Sequence, residues 1–173
     1  MKVLFIVAQQ GYQDIEYETP KRILEKAGIE VVTASKKAGT ASGKLGGTTT
    51  SALSLNDVDM ADYAAVVFIG GPGAAQYQHD VQAHLAAQEA ESRNKIIAAI
   101  CIAPTILAHA GVLEGKKATV WNEDRQQSAL LEKEGATYTG ENVTIDGKLI
   151  TANGPAAAEE FGKKLLKMLQ VKS

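Results

Sequence analysis

The sequence predicts an α/β fold of three layers, in which a mostly parallel β-sheet is covered by helices on both faces. Apolar, β-branched runs alternate with helical patterns from one end of the chain to the other, which is the arrangement that builds parallel sheets. The strand-like runs are apolar throughout rather than alternating, as expected for strands buried on both faces. A chain of 173 residues has an ordinary length for one domain, so we predict a single domain spanning residues 1–173.

The predicted strands are short apolar runs rich in Val, Ile, Leu and Ala. In chain order they are Lys2–Ala8, Glu30–Ala34, Ala64–Ile69, Lys95–Ile100 and Ala118–Trp121. Residues 35–62 are the least regular part, and the Gly-, Ser- and Thr-rich stretch Gly39–Ser51 indicates a short hairpin without fixing its register. Further short strands are expected within Ala136–Ala152, around the hairpin turn signal Asp146-Gly147.

The predicted helices follow the strands and are marked by capping residues and by Pro and Gly at their ends. In chain order they are Ile15–Ala27, a helix after Asp80, Pro104–Gly111, Asp124–Lys133 and a last helix from about Pro155. Pro20 lies inside the first pattern, which predicts either a kink there or a later start. In three of the helices, periodicity indicates an apolar face toward the core. The side chains predicted to face inward are Ile23, Leu24, Ala27, Val81, Leu85, Phe161, Leu165, Met168 and Leu169.

The charge balance and the single cysteine exclude several classes of protein. Lys and Arg number 18 and Asp and Glu 20, which gives a net charge of −2, so the basic surface of a nucleic-acid-binding protein is missing. One cysteine permits no internal disulfide bond and indicates no oxidising compartment. No apolar stretch approaches the ~20 residues of a membrane span, and the apolar start lacks a signal-peptide cleavage site. We therefore expect a cytoplasmic protein that binds neither nucleic acid nor membrane.

Three turns contain the residues that are candidates for a functional site. In sheets of this kind, ligands bind at the carboxyl ends of the strands. The turns that stand out after predicted strands are Gln9–Glu16, Gly70–Gly73 and Cys101–Thr105. Because the carboxyl ends of parallel strands lie at one edge of the sheet, these are the segments in which we expect chemistry.

The turn at Cys101 has the pattern of a nucleophile elbow. Cys101 stands between a strand and a helix, with Ala99 and Ala103 two residues away on each side. Small residues there let the strand and the helix pass closely, so that the nucleophile projects from a sharp bend. A lone cysteine in an apolar run is otherwise a small buried hydrophobic residue, but this spacing favours a reactive one. The amides and helix dipole beside it predict a lowered pKa and a thiolate.

The other two turns supply groups that a cysteine nucleophile needs. The glycines of Gly70–Gly73 leave the backbone open to a substrate carbonyl, and the amides of Gly71 and Ile102 are candidates for an oxyanion hole. The segment is not a phosphate loop, because it lacks the Gly-Lys-Ser/Thr ending. A carboxyl turned into the cleft would titrate high and would hydrogen-bond the sulfur as a neutral acid. The first turn offers three carboxyl groups for this role, those of Asp14, Glu16 and Glu18.

The histidines support neither a Cys-His pair nor a metal site. They are His79, His84 and His109, and none directly follows Cys101. His109 lies two helical turns beyond the elbow, roughly 12 Å along the helix axis, and is interpreted as a packed or helix-end residue. Their spacing matches no metal site, and a lone cysteine cannot supply a thiolate cluster. We therefore predict no metal and no cofactor.

Four segments together resemble the ThiJ/PfpI superfamily, which includes a deglycase/glyoxalase protein and intracellular peptidases. They are Asp14–Pro20, Val67–Gly73, Ala98–Thr105 and Asp146–Pro155. In order and spacing they span essentially the whole chain, and the elbow with its Pro-Thr continuation is the most specific of them. The resemblance implies a flavodoxin-like sandwich and a homodimer or larger homo-oligomer.

The resemblance also implies roles for individual residues. Cys101 matches the reactive cysteine of the family, and Glu16 matches the protonated glutamate that contacts it. Gly71 and Ile102 match the amides of the oxyanion hole, and Gly154-Pro155 matches a loop that commonly borders the pocket. The residues expected to line the pocket are Gly70, Trp121, Asn122, Gly154 and Pro155.

Two positions depart from the family's histidine pattern. Peptidase-like members have His directly after the cysteine, where this chain has Ile102. Glyoxalase-like members often have His at the end of the strand that Trp121 occupies, and Trp121 is compatible with either a pocket wall or the core. Peptidase activity therefore has little support. Glu123 and Asp124, beside Trp121, are candidates for a substitute base.

The leading functional prediction is a cysteine-dependent, stress-protective enzyme that acts without a cofactor on reactive α-oxoaldehydes such as methylglyoxal, or on their early adducts. Cys101 would attack the aldehyde carbon and Glu16 would shuttle a proton. The alternative is a redox-sensing or chaperone-like stress protein in which Cys101 is oxidised to sulfinic acid. An intracellular peptidase, which needs a histidine from elsewhere, is the third interpretation. The expected partners are a small carbonyl substrate and further copies of this chain.

Overall fold

The structure, a computed structural model, describes residues 1–171 and is built on a seven-stranded sheet. The strands are β1 (Lys2–Ile6), β2 (Gln10–Tyr12), β3 (Glu30–Ser35), β4 (Gly39–Gly43), β5 (Thr48–Ser51), β6 (Leu53–Ser54), β7 (Ala65–Phe68), β8 (Ile96–Ile100), β9 (Lys117–Ala118), β10 (Thr137–Tyr138), β11 (Val143–Asp146) and β12 (Leu149–Ala152). The central sheet has the order β11-β12-β8-β7-β1-β3-β6, and every neighbouring pair is parallel except β11 and β12. The mostly parallel sheet predicted from the sequence is thus confirmed.

Helices cover this sheet and complete the flavodoxin-like arrangement. They are α1 (Asp14–Lys26), α2 (Val81–Ser92), α3 (Pro104–His109), α4 (Gln127–Lys133) and α5 (Ala158–Gln170). Short 3-10 turns lie at Leu55–Asp57, Met60–Asp62, Pro72–Tyr77 and Pro155–Ala157. α1 and α5 pack together, with α5 on β8 and β12, while α2 packs on α3, β7 and β8. Among the helices of residues 1–171, none combines the length and the apolar character that crossing a lipid bilayer requires.

The strands at the centre of the sheet are buried along their length. All residues of β7 and β8 are buried, and β1 is exposed only at Lys2. Helices on both faces exclude water from both sides of these strands, which is why their sequence is apolar without alternation. The strand ends are left as the place where polar groups meet a ligand.

A small second sheet lies beyond the carboxyl end of β1. β4 and β5 form an antiparallel hairpin in which Gly39 lies opposite Ser51 and Ser42 opposite Thr48, and β2 adds to β4 in parallel. The hairpin predicted for this segment is confirmed, and its register is now defined. The hairpin predicted around Asp146-Gly147 is also confirmed, since β11 and β12 are antiparallel neighbours.

The face of α2 that contacts the core consists of alanines, so the sequence prediction for this helix is wrong. Val81 and Leu85, predicted to face inward, are 66% and 49% exposed. Periodicity favoured the larger side chains, but alanine lets the helix approach the sheet more closely. The buried residues of α2 are Ala83, Ala86, Ala87 and Ala90.

α1 continues through Pro20, so the prediction of a later start is wrong. The helix begins at Asp14, where the Gln13 side chain caps it by accepting a hydrogen bond from the Ile15 N–H (2.7 Å). Pro20 is buried within the helix. Ala27, predicted on the inner face, is exposed because it is the C-cap residue beyond the last turn.

Two elements near the edge of the fold are shorter than predicted. The strand predicted at Ala118–Trp121 is reduced to β9, and the helix predicted from Asp124 begins at Gln127. The Asp124 carboxylate accepts hydrogen bonds from the Gln126 N–H (2.9 Å) and the Gln127 side chain (2.9 Å). These bonds stabilise a turn, which places Asp124 before the helix rather than in it.

Candidate active site

The three candidate turns lie side by side at one edge of the central sheet. β8, β7 and β1 are consecutive neighbours, so the segments that follow them are adjacent. β3 and β7 lie on opposite sides of β1, and the chain therefore changes direction in the sheet at this point, where open α/β sheets bind their ligands. The segments brought together are Gln9–Glu16, Gly70–Gly73 and Cys101–Thr105.

Cys101 occupies a sharp bend at the end of β8. Its φ is +66°, a left-handed conformation that a non-glycine residue adopts at some expense in free energy. The Cys101 N–H donates to the Ala152 carbonyl (2.9 Å), and the Cys101 carbonyl accepts from the Trp121 N–H (2.9 Å). Ala99 and Ala103 are fully buried, as close passage of the strand and the helix requires. The local geometry is that of a nucleophile elbow.

Glu16 is a buried carboxyl group next to this bend. It has 0% exposure, its Oε1 accepts a hydrogen bond from the Gly70 N–H (3.1 Å), and its Oε2 is buried without a partner of ordinary hydrogen-bond geometry. A Cβ at Gly70 would lie 2.5 Å from Glu16 Oε1 and 2.6 Å from Cys101 Cβ. Only glycine at this position leaves room for the acid and the cysteine to approach each other.

Burial controls the protonation of both groups. It raises the pKa of Glu16 to about 8, although hydrogen bonding to Cys101 and to Gly70 acts in the opposite direction. Burial and the adjacent Glu16 carboxylate raise the pKa of the Cys101 thiol to about 12. The predicted lowering of the Cys101 pKa is therefore wrong, because exclusion of water outweighs the dipole of the short helix α3. At neutral pH the pair mainly holds both protons.

Two backbone amides face the Cys101 thiol. The N–H groups of Gly71 and Ile102 act on the thiol and lower its pKa, so they can donate to the sulfur or to an oxygen beside it. Gly71 has a φ of +104°, and a Cβ there would lie 2.5 Å from the Gln13 nitrogen. The Gln13 N–H donates to the Gly70 carbonyl (2.9 Å), which fixes the glycine turn against the start of α1.

A cavity of about 510 Å³ opens onto Cys101. This volume accommodates a small organic molecule. The lining residues are Gln13, Lys44, Gly71, Pro72, Ala75, Cys101, Ile102, Trp121, Glu123 and Pro155. Among the residues proposed from the sequence, the cavity therefore brings together the cysteine, both candidate oxyanion amides, Trp121 and Pro155.

Three residues expected in the pocket wall are not part of it. Gly70 is buried beside Glu16 and Cys101 and does not line the cavity. Asn122 Oδ1 accepts a hydrogen bond from the Ser128 N–H (2.9 Å), so this side chain stabilises the start of α4. Gly154 directly precedes Pro155, which lines the cavity and begins a 3-10 turn, but Gly154 itself does not line the cavity. Consecutive residues of a turn face different directions, so a residue next to one that lines the cavity need not line it as well.

Sequence reasoning missed four residues of the cavity wall. They are Gln13, Lys44, Pro72 and Ala75. Lys44 comes from the turn between β4 and β5, whose register could not be deduced from the sequence. Gln13 lies in the turn Gln9–Glu16, which the sequence had already indicated as a candidate segment, so its place in the cavity wall could have been predicted. Of the two candidate substitute bases, Glu123 lines the cavity and Asp124 does not.

The histidines lie away from the cavity wall. The rings of His79 and His109 contact each other at a tilt of 51°, with their centroids 4.4 Å apart, and His84 Nε2 lies 2.6 Å from the Gln78 carbonyl oxygen. No histidine lines the cavity among the described residues. In the same part of the chain, no group of three His, Cys, Asp or Glu side chains is arranged to hold a metal ion.

Comparison with known sequences identifies relatives along nearly the whole chain. Residues 1–168 match the model of the DJ-1/PfpI family. An uncharacterized protein of Methanocaldococcus jannaschii is 36% identical over 170 residues, which are 98% of this chain and 82% of that protein. A deglycase of Pyrococcus horikoshii is 30% identical over 98% of this chain and 100% of its own length.

Solved structures share the same architecture. A ThiJ/PfpI domain protein from Brachyspira murdochii has a TM-score of 0.94 at 33% identity, covering 99% of this chain and 98% of that one. Drosophila melanogaster DJ-1beta has a TM-score of 0.88 at 30% identity, covering 99% and 91%. The resemblance found in four sequence segments is confirmed, and the chain belongs to the DJ-1/PfpI family.

Proposed function

We propose that this protein is a cysteine-dependent enzyme that converts reactive α-oxoaldehydes, such as methylglyoxal, into 2-hydroxy acids without a cofactor. The observation that carries the proposal is the pair formed by the buried Glu16 carboxyl and the Cys101 thiol at a cavity of small-molecule size. Relatives from Pyrococcus horikoshii, Thermococcus kodakarensis and Pyrococcus furiosus are named deglycases, so the family contains enzymes.

The first step forms a carbon–sulfur bond. The Glu16 carboxylate accepts the thiol proton as Cys101 Sγ attacks the aldehyde carbon, and the aldehyde oxygen takes up that proton to give a hemithioacetal. A base beside the thiol is needed because a pKa of about 12 leaves almost no thiolate at neutral pH. A pKa of about 8 keeps both forms of Glu16 accessible, which suits a group that accepts and returns a proton.

The amides of Gly71 and Ile102 stabilise the charge that develops in this step. Both face the thiol, so an oxygen on the attacked carbon lies within their reach. Fixed N–H donors stabilise an oxyanion without reorganising, and removing one such donor typically lowers the rate by roughly 100-fold or more.

The second stage moves a proton between two carbons of the substrate. Glu16 removes the proton from the hemithioacetal carbon to form an enediol and returns a proton to the neighbouring carbon, which gives a thioester of the 2-hydroxy acid. Water hydrolyses the thioester, releases the acid and restores the thiol. The aldehyde carbon is oxidised, the ketone carbon is reduced and one water is consumed, so no external oxidant or reductant is required.

Consumption of methylglyoxal tests the proposal. We expect the wild-type protein to convert methylglyoxal to lactate, and Cys101→Ser to lose roughly 100-fold or more in kcat/KM because serine is the weaker nucleophile. Glu16→Gln should lose activity to a similar extent. Glu18→Gln is the matched control, since it removes an exposed carboxylate from the same helix. Equal rates from the wild type and Cys101→Ser would end the proposal.

Oxidation of Cys101 is a second candidate function. Cys101 is the sole cysteine of the chain, so a sulfenic acid formed by peroxide finds no thiol within the chain and can proceed to sulfinic acid. Protonated Glu16 and the amides of Gly71 and Ile102 are the donors available to its oxygens. The raised pKa of Cys101 opposes this role, because the thiolate is the species that peroxide attacks.

Intact-mass measurement after mild peroxide treatment separates the two roles of Cys101. A sensor should gain two oxygen atoms on this residue, and Cys101→Ser should not. We expect wild-type oxidation to be slow at neutral pH and faster at high pH, in step with ionisation of the thiol. Oxygen found on methionine alone would contradict the sensor role. Peptidase activity is not proposed, because Ile102 follows Cys101 and no histidine lines the described cavity.

A further inference from the structure

The turn between β4 and β5 is fixed to the start of α1. The Asp14 carboxylate accepts hydrogen bonds from the Leu45 N–H (2.9 Å) and the Gly47 N–H (2.8 Å). The Lys44 N–H donates to the Tyr12 carbonyl (2.8 Å). These bonds join a surface hairpin to the segment that also carries the buried catalytic acid, so the backbone of Lys44 has a defined position at the cavity.

Lys44 is an exposed cation in the wall of the cavity that contains Cys101. Within residues 1–171, its ammonium group forms no ion pair, whereas six other lysine or arginine side chains do. Its charge nevertheless reaches Glu16, the acid beside Cys101, because it lowers the pKa of that carboxyl. A cation that faces a ligand cavity without a protein partner is available to an anionic group of the ligand.

Glu123 is the other charged side chain of the cavity wall besides Lys44. Among the ion pairs of residues 1–171, none joins it to Lys44, and it is not among the groups that act on the pKa of Glu16 or Cys101. Glu16 therefore experiences the positive charge of Lys44 more strongly than the negative charge of Glu123. Of the two charged residues in the cavity wall, the cation is the one that acts on Glu16 beside the cysteine, which favours an anionic group of a ligand in this part of the cavity.

We infer that Lys44 selects anionic carbonyl substrates: the preferred α-oxoaldehyde carries a carboxylate or another anionic group that pairs with Lys44 while its aldehyde carbon lies at Cys101. This inference rests on the proposed function, since it names the substrate class of the same site. The two remain separable, because the charge preference at Cys101 can be measured by a reaction that needs no turnover.

Alkylation of Cys101 measures that preference directly. Iodoacetate and iodoacetamide are nearly equal in size, but only the first is an anion, and the chain has no other cysteine. We expect Lys44→Gln to lower the ratio of the iodoacetate rate to the iodoacetamide rate by about fivefold, the upper range for an exposed ion pair. Lys44→Arg should keep the wild-type ratio, and raising the salt concentration should lower that ratio.

Lys167→Gln is the matched control for the alkylation experiment. It removes the same charge from an exposed position of α5 that does not line the cavity, so its ratio should equal that of the wild type. An unchanged ratio in Lys44→Gln, or an equal fall in Lys167→Gln, would overturn the inference. Failure of both reagents to alkylate Cys101 would overturn the inference and the proposed function together.

Turnover supplies the second test. The probes are 4,5-dioxopentanoate, an α-oxoaldehyde with a carboxylate, and its neutral methyl ester. The wild type should have a higher kcat/KM for the acid than for the ester. Lys44→Gln should lower the ratio of these two kcat/KM values about fivefold. If Lys44→Gln changes the alkylation ratio but neither probe is consumed, the anion preference stands and the proposed function fails. If both are consumed with no effect of Lys44→Gln on either ratio, the proposed function stands and the inference fails.

Discussion

Burial away from water determines the protonation of both Glu16 and Cys101. The carboxyl is fully buried, and its pKa rises to about 8 from a usual value near 4.5. The thiol is affected in the same direction by burial and by the acid beside it. Burial disfavours the charged form of each group, so the pair is uncharged at neutral pH. It becomes reactive when Glu16 loses its proton.

The pH dependence of the rate follows from this coupling. Because Glu16 must be ionised to accept the thiol proton, kcat/KM should rise about tenfold per pH unit below pH 8 and level off above it. Glu16→Gln should abolish the rise, and Glu18→Gln should retain it. A rate that falls between about pH 6 and 8 would show instead that Glu16 acts as an acid.

The same raised pKa links Glu16 to stability. The folded state binds this proton more tightly than the unfolded state. Its contribution to the free energy of unfolding is therefore complete below pH 4.5 and is lost as the pH rises through about 8. The conditions that ionise the base for catalysis are thus those in which this carboxyl destabilises the fold.

At the scale of elements, α1 and α5 approach each other at two residues of low helix propensity. Pro20 is buried in α1, and Gly162 is buried in α5. A Cβ at Gly162 would lie 2.8 Å from Ile23 Cδ1 and 3.0 Å from Pro20 Cα. Glycine weakens a helix by roughly 0.5–1 kcal/mol relative to alanine, so its presence here reflects the close contact between the helices.

Gly162→Ala tests this contact. Intrinsic helix propensity favours the substitution, but overpacking typically reduces stability by about 1–3 kcal/mol. We expect a net loss of about 1 kcal/mol in the free energy of unfolding, measured by urea denaturation. Ile23→Val removes the Cδ1 atom, so the double variant should recover part of the loss. An increase in stability from Gly162→Ala alone would mean that the helices move apart readily.

At the scale of the whole molecule, the strand order assembles the site from distant parts of the chain. Adjacent β1, β7 and β8 bring Glu16, Gly71 and Cys101 together. The small second sheet adds Lys44, and the segment after β9 adds Trp121. These residues come from segments far apart in the chain, so the cavity exists only when the sheet and its flanking segments are formed. A homodimer or larger assembly, implied by the resemblance, stays a prediction.

The sequence by itself determined the alternation of buried strands and helices, the bend at Cys101 and the family, because periodicity and spacing are properties of short segments. Tertiary structure decided which face of α2 is buried, where Lys44 lies and how tightly Cys101 holds its proton. These features depend on contacts between residues far apart in the chain and on the water that those contacts exclude. A local sequence pattern therefore predicts secondary structure and motifs, but it does not predict contacts between distant residues or the burial that those contacts produce.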